Sequence, residues 1–245
     1  MQPTRIVGES EWLKARKALL AREKALTRER DEISRLRRDL PWVRVEKTYV
    51  FDTPQGQHSL AELFGRKSQL LVKHFMLGPG WDAGCIGCSF GADHVEAMLV
   101  HLAQRDVALV AVSRAPLPEI EAYKARMGWH FDWVSSFGSD FNYDYHVSFS
   151  PEQMSSGKIY YNYEMTDAAI DELHGMSVFA KDESGHVYHT YSSYARGGED
   201  ELGIYALLDL TPKGRDENGP TRSLIDWVKR HDEYETTAQS SCCGH

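Results

Sequence analysis

Gln69-Leu70-Leu71-Val72-Lys73-His74-Phe75-Met76 runs into Leu77-Gly78-Pro79-Gly80-Trp81-Asp82-Ala83 and then into Gly84-Cys85-Ile86-Gly87-Cys88. The first stretch is almost continuously apolar, as a strand buried on both faces must be. The second is a glycine-rich loop. The third opens a stretch without glycine or proline breaks after Gly91, which predicts a helix to about Gln104. Val107–Ser113 is a second buried strand, Pro118–Met127 a helix that closes before Gly128, and Phe131–Val134 a short extended piece. Strand, helix, strand, helix, strand in succession predicts parallel pairing with helices packed on the sheet, an α/β fold.

The spacing of Cys85 and Cys88 suits a redox dithiol. Two intervening residues on the first turn of a helix let the sulfurs meet and separate. The helix start offers unpaired N–H groups and partial positive charge, which stabilise a thiolate at Cys85. Cys88, one turn further in, is expected to be more buried and to resolve the mixed disulfide. A C-x-x-C is also half of many zinc sites, and a metal-binding or metal-delivery protein is the alternative reading. The other two cysteines, Cys242 and Cys243, stand near His245 at the end of the sequence, where a relay or a metal role competes with an adventitious tail. Trp81 is a candidate wall of the site and substrate contact. Asp82 reads as a helix cap or a proton acceptor, and capping is the simpler reading. His74 reads as a core histidine.

Outside this unit, residues 9–40 carry no Gly or Pro and read as one long helix, capped by Ser10 and stopped by Pro41. Trp12, Leu19, Leu26, Ile33 and Leu40 recur every seven residues, but the second apolar column of a coiled coil is patchy. An arm packed on a globular body and a dimer clasp are both compatible with that pattern, and the latter admits a dimeric binding module with a vestigial dithiol. Trp42–Phe51 alternates as a strand, and Ser59–Phe64 suggests a helical turn. Residues 140–172 are rich in Tyr and Phe and read as an insertion. Met176–Lys181 and His186–Tyr191 form a hairpin across Asp182-Glu183-Ser184-Gly185. Thr221–Tyr234 reads as a terminal helix, and 236–245 as a flexible tail. The division is therefore an arm over 1–41, a domain over 42–235 and the tail.

The net charge of −8 is unevenly placed: residues 1–44 hold 12 Lys and Arg against 7 Asp and Glu, so the remainder is strongly acidic. An acidic body argues against nucleic-acid binding. No stretch approaches the roughly 20 apolar residues of a membrane span, and the first residues lack a signal-peptide core, so a cytoplasmic protein is expected. Four cysteines in 245 residues are too few for a secreted disulfide scaffold.

From about Trp12 to Tyr234 the chain resembles the bacterial domain-of-unknown-function 899 family, whose members are described as thioredoxin-like or as dithiol-disulfide oxidoreductases. The resemblance is carried by Pro41-Trp42-Val43-Arg44-Val45-Glu46-Lys47, His74-Phe75-Met76-Leu77-Gly78-Pro79, Ala111-Val112-Ser113-Arg114-Ala115-Pro116-Leu117, Gly138-Ser139-Asp140-Phe141-Asn142 and Leu210-Thr211-Pro212-Lys213-Gly214-Arg215. It implies a thioredoxin-like three-layer sandwich with a mixed central sheet, carrying the helical arm and the aromatic-rich insertion. It also implies a thiol–disulfide oxidoreductase, with Cys85 as nucleophile and Cys88 as resolving thiol. Two departures from the broader thioredoxin pattern stand out. Gly84 replaces the Trp before the first cysteine, and no proline opens the late hairpin near Gly175-Met176-Ser177. Trp81, Gly84, Met176 and Ser177 are accordingly the candidate substrate-binding residues. The expected partner is a thiol or disulfide substrate, protein or small molecule, with no cofactor, metal, nucleic acid or membrane. A homodimer through the N-terminal helix is the expected assembly under the clasp reading. The peroxiredoxin pattern wants Thr three residues before its nucleophile, where Asp82 stands.

Overall fold

The computed structural model describes residues 5–235, and the chain divides into two compact units at Pro41/Trp42. The first unit is the helix α1 (Glu9–Arg38), none of whose residues is buried. Its cap is Gly8, in extended backbone, rather than Ser10, which lies inside the first turn. Arg35, Arg37 and Arg38 crowd its last turn, where cations complement the helix dipole. Among the described residues no helix is long and apolar enough to cross a membrane.

The second unit does not open with the single strand expected over Trp42–Phe51. The alternating stretch Trp42–Phe51 is two strands: β1 (Val43–Arg44) and β2 (Val50–Thr53), the latter turning into β3 (Gly56–Ser59). β1 is one edge of an eight-stranded sheet and pairs with the last strand of the chain, while the β2–β3 hairpin ends the other side; Tyr49 and Phe51 are buried in the core and Val43 is exposed. The centre of the sheet is β4 (Gln69–His74), parallel to β5 (Val107–Ser113) and antiparallel to β9 (Gly175–Lys181). Strand β6 (Asp132–Ser135) extends the parallel side. The hairpin of β9 with β10 (Val187–Tyr194) extends the other.

Between β4 and β5 the chain forms α2 (Ile86–Glu96) and α3 (Leu99–Gln104), not one continuous helix. At Met98 the backbone bond shortens to the i−3 carbonyl of Val95, which breaks the axis. Helix α4 (Leu117–Met127) joins β5 to β6 and closes on the left-handed Gly128. Residues 140–172 form α5 (Phe141–Asp144), α6 (Pro151–Ser155) and a separate two-stranded sheet of β7 (Lys158–Tyr161) and β8 (Glu164–Asp167). Asn162 and Tyr163 both take positive φ in that tight turn, as a hairpin of this length demands. Helix α7 (Gly203–Leu208) follows β10, a helix the sequence patterning did not suggest.

The expected terminal helix over 221–234 is absent. Two single 3₁₀ turns stand there instead, at Leu224–Asp226 and His231–Glu233. The Asp226 carboxylate accepts from the backbone N–H groups of Thr221 and Ser223, and Arg222 takes a positive φ. This local bonding competes with helical bonding, and it frees Leu224, Trp227 and Val228 to pack beside Phe90 of α2.

The central sheet separates two cores, as its strands' alternation requires. On β5, Val110 and Val112 face a cluster with Phe51, Leu70, Phe141 and Phe179. Ala111 faces the other cluster, where Phe75, Ile120, Trp129 and Trp133 receive α2 and α4. The dithiol belongs to this second side.

Candidate active site

Strand β4 ends beside β5, and the loop after it returns to place Cys85 at the N-cap of α2. Met76 holds both ends of the motif. Its carbonyl accepts from the Cys85 N–H at 3.0 Å, and its own N–H points to the Cys88 sulfur at 3.5 Å. Both cysteines are thiols, Cys85 half-buried and Cys88 buried.

Their electrostatics differ in direction. Cys85 is pulled down to about 6, first by the hydrogen bond from Cys88, then against the cost of burial, with the N–H groups of Cys88 and Gly87 and the charge of Lys73 assisting. Cys88 is pushed well above the ordinary thiol range by the bond it donates to Cys85 and by its burial. The helix start therefore concentrates negative charge on the outer sulfur.

Gly84 has a packing reason. A Cβ there would stand 2.5 Å from the Phe75 ring and 2.7 Å from the Tyr123 ring, so the tryptophan found at this point in thioredoxins has no room. Its carbonyl accepts from Arg230 at 2.6 Å. Arg230 also donates to the Tyr123 hydroxyl at 3.0 Å, which pairs with Ser89 at 2.8 Å, and Ser89 donates to the Cys85 carbonyl at 2.8 Å. The segment expected to be a terminal helix thus straps the cysteine loop. Gly84→Ala should lower stability by about 1–3 kcal/mol through overpacking, read as a fall in urea midpoint of the reduced protein; an unchanged midpoint would show that the two rings yield freely.

Cys85, Gly87 and Cys88 open onto a cavity of about 380 Å³. Gly175 and Met176 of β9 form one wall, and Ser223, Leu224 and Ile225 another. At Gly175 a Cβ would meet the Tyr194 ring at 2.6 Å, so this edge is closed by a tyrosine and not by a proline. On the floor lies Lys73, 4% exposed, paired with Glu201. Gly91 of α2 permits that pair, because any Cβ there would collide with both charged groups.

Of the residues singled out in the sequence, Cys85, Cys88 and Met176 line the cavity, and Gly84 lies directly behind it. Trp81 does not line it. The ring is half-buried against the Phe75–Trp133 core, with its Nε1 close over Gly78. Ser177 does not line it either, because side chains alternate along β9 and Met176 takes the cavity face. Ser177 is fully buried, 2.8 Å from His74 Nε2 and 2.8 Å from Ser192 Oγ. His74 itself is held down to about 3 by burial and by His189, as a neutral core histidine. Asp82 is exposed and makes no cap to α2. Cys242, Cys243 and His245 lie outside the described residues. Among the described residues no group of three or more His, Cys, Asp or Glu side chains is placed to hold a metal ion. Sequence reasoning passed over Lys73, Glu201, Leu224 and Arg230. The one available signal was a lysine inside an apolar strand.

The strand order β6-β5-β4-β9-β10, with a strand–loop–C-x-x-C–helix connection at its centre, defines a thioredoxin-like α/β protein. The chain belongs to the family described as bacterial protein of unknown function (DUF899), whose model matches residues 1–234. No curated protein matches its sequence. Among solved structures it is similar to peroxiredoxin Q of Xanthomonas campestris, at 12% identity over 68% of this chain and 96% of that one, TM-score 0.45. It is also similar to peroxidoxin BcpB of Mycobacterium tuberculosis, at 12% identity over 66% and 92%, TM-score 0.40. The mitochondrial 2-Cys peroxiredoxin of Plasmodium falciparum matches at 14% over 69% and 94%, TM-score 0.39.

Proposed function

We propose that this protein is a thiol–disulfide oxidoreductase of the cytoplasm, with Cys85 as nucleophile and Cys88 as resolving thiol on a redox domain spanning 42–235. The observation that carries the reading is the asymmetry of the pair. One sulfur lines a cavity and ionises near neutral pH, while the other is buried and keeps its proton. The Cys85 thiolate attacks one sulfur of a disulfide and expels the other as a thiolate. Once Cys85 is bonded to sulfur it no longer carries the charge that held the proton on Cys88. Cys88 then ionises and attacks Cys85, closing the Cys85–Cys88 disulfide and releasing the second thiolate. Two electrons pass from the dithiol to the substrate. The test is a titration of the full chain across glutathione redox buffers, with thiols counted by mass after alkylation. A reversible two-electron couple confined to Cys85 and Cys88 is expected, and its absence ends the proposal.

The pH dependence has a definite sign. Only the thiolate reacts, so alkylation of Cys85 by iodoacetamide rises with pH through a midpoint near the value of about 6 and is flat above it. Cys88 stays unmodified over the same range. A midpoint near the ordinary thiol value of about 8.5 would remove the thiolate from the reading.

We infer that the arm associates with a second copy of itself. Trp12, Leu19, Leu26 and Ile33 are all exposed along α1 at seven-residue spacing. Deleting residues 1–40 should halve the mass seen by light scattering, and an unchanged mass would exclude the clasp.

A further inference from the structure

The cavity beside Cys85 is built to discriminate among disulfides. Its wall is hydrocarbon and thioether at Met76, Leu173, Met176, Leu202, Leu224 and Ile225. Its charged groups are mostly closed on partners of their own. Lys73 pairs with Glu201, Arg196 with Glu199 at 2.7 Å, and Glu217 accepts from the Tyr205 hydroxyl at 2.6 Å. Arg222 stands exposed at the rim. A carboxylate brought beside Cys85 would shed water and find Lys73 and Arg196 already paired, with Arg222 out at the rim. An alkyl group would shed water and gain contact.

Size and access select in the same direction. About 380 Å³ is near the lower end of the roughly 300–1,000 Å³ usual for small-molecule sites. Over the first turn of α2, a Cβ on Gly87 would lie 3.3 Å from the Leu224 side chain and 3.9 Å from the Cys85 sulfur. Leu224 and that sulfur therefore share the space above Gly87. Ser223–Ile225 thus line the cavity on the side where that sulfur opens into it.

We infer that the substrate is a low-molecular-weight disulfide with uncharged, apolar substituents, taken into this cavity; the inference rests on the dithiol reading above. In the half-reaction, R–S–S–R and the reduced pair give two R–SH and the Cys85–Cys88 disulfide. The S–S bond of the substrate breaks, one S–S bond forms in the protein, and the two released thiolates take up the Cys88 proton and one proton from water.

The test is a single turnover of the pre-reduced full chain with di-n-butyl disulfide, glutathione disulfide or insulin. Oxidation of the pair is followed by mass after alkylation. Each rate is divided by that of the same disulfide with dithiothreitol, which cancels differences in leaving group. The normalised rate for the dibutyl compound should exceed the other two by roughly tenfold or more, the scale on which apolar pockets discriminate. Leu224→Asp should lower the dibutyl rate by a similar factor without lowering that of glutathione disulfide. Ile225→Asp, at an exposed position that folding tolerates, should act in the same direction. Equal normalised rates, or a preference for glutathione disulfide or insulin, would overturn the inference and leave the dithiol reading standing. Failure of all three disulfides to oxidise the pair would overturn both.

Discussion

Cys88→Ser should stop the reaction at a mixed disulfide, with substrate held on Cys85 and one equivalent of thiol released. The wild-type chain should release two equivalents and hold nothing. The reason is geometric. Cys88 is the neighbouring sulfur that donates to Cys85, and it is buried where no external thiol replaces it easily. Serine keeps the size of the side chain but is not a nucleophile toward sulfur near neutral pH. Cys85→Ser should give neither adduct nor thiol release. The intact mass of each variant after one turnover decides the matter. Release of two equivalents by Cys88→Ser would assign resolution to another thiol, and adduct formation by Cys85→Ser would reverse the two roles. Cys88→Ala has a further consequence with a defined direction. The bond from Cys88 is the largest influence lowering the Cys85 thiol, so removing that donor altogether should move the Cys85 alkylation midpoint upward from about 6.

Lys73→Met should cost about 3–5 kcal/mol, a large share of the roughly 5–15 kcal/mol that holds a domain folded. The lysine side chain is 5% exposed and that of Glu201 16% exposed, so removing one leaves the other charge buried beside hydrocarbon. Adding Glu201→Leu should return most of the loss, since an apolar pair of similar volume replaces a buried ion pair at little cost. The double variant should not return the electrostatics. Lys73 is among the groups that lower Cys85, so its alkylation midpoint stays raised in both variants. Urea midpoints of the reduced proteins together with alkylation profiles test this. A Lys73→Met chain as stable as the parent would mean that the ion pair is solvated. A double variant with an unshifted midpoint would mean that Lys73 does not reach the thiolate.

The strands β4 and β5, the loop between β4 and α2, and the helix α4 were all legible because each is a local pattern. Continuous apolar runs mark strands buried on both faces, and Gly128 marks a helix end at the residue itself. The same kind of reading went astray where a local pattern had two tertiary solutions. Trp42–Phe51 alternates correctly, yet its halves pair with opposite edges of the sheet. Thr221–Tyr234 has helical composition, yet Asp226 ties its backbone into turns and its apolar residues are taken up against Phe90. Ser177 and Met176 were indistinguishable as neighbours on a strand, and only the position of β9 in the sheet decides which of them faces the dithiol.

The chain's own order therefore determined that Cys85 opens a helix after a buried strand, with Cys88 one turn inward. The reason is that caps, breaks and periods are recorded within a few residues of the groups they govern. Tertiary structure alone decided what surrounds the pair. Lys73 meets Glu201 across 128 residues, and Arg230 reaches the Gly84 carbonyl across 146. Leu224 comes over the first turn of α2 only because the C-terminal segment is not a helix. Such contacts depend on register and on which faces meet. Neither is written in the spacing of residues along the chain.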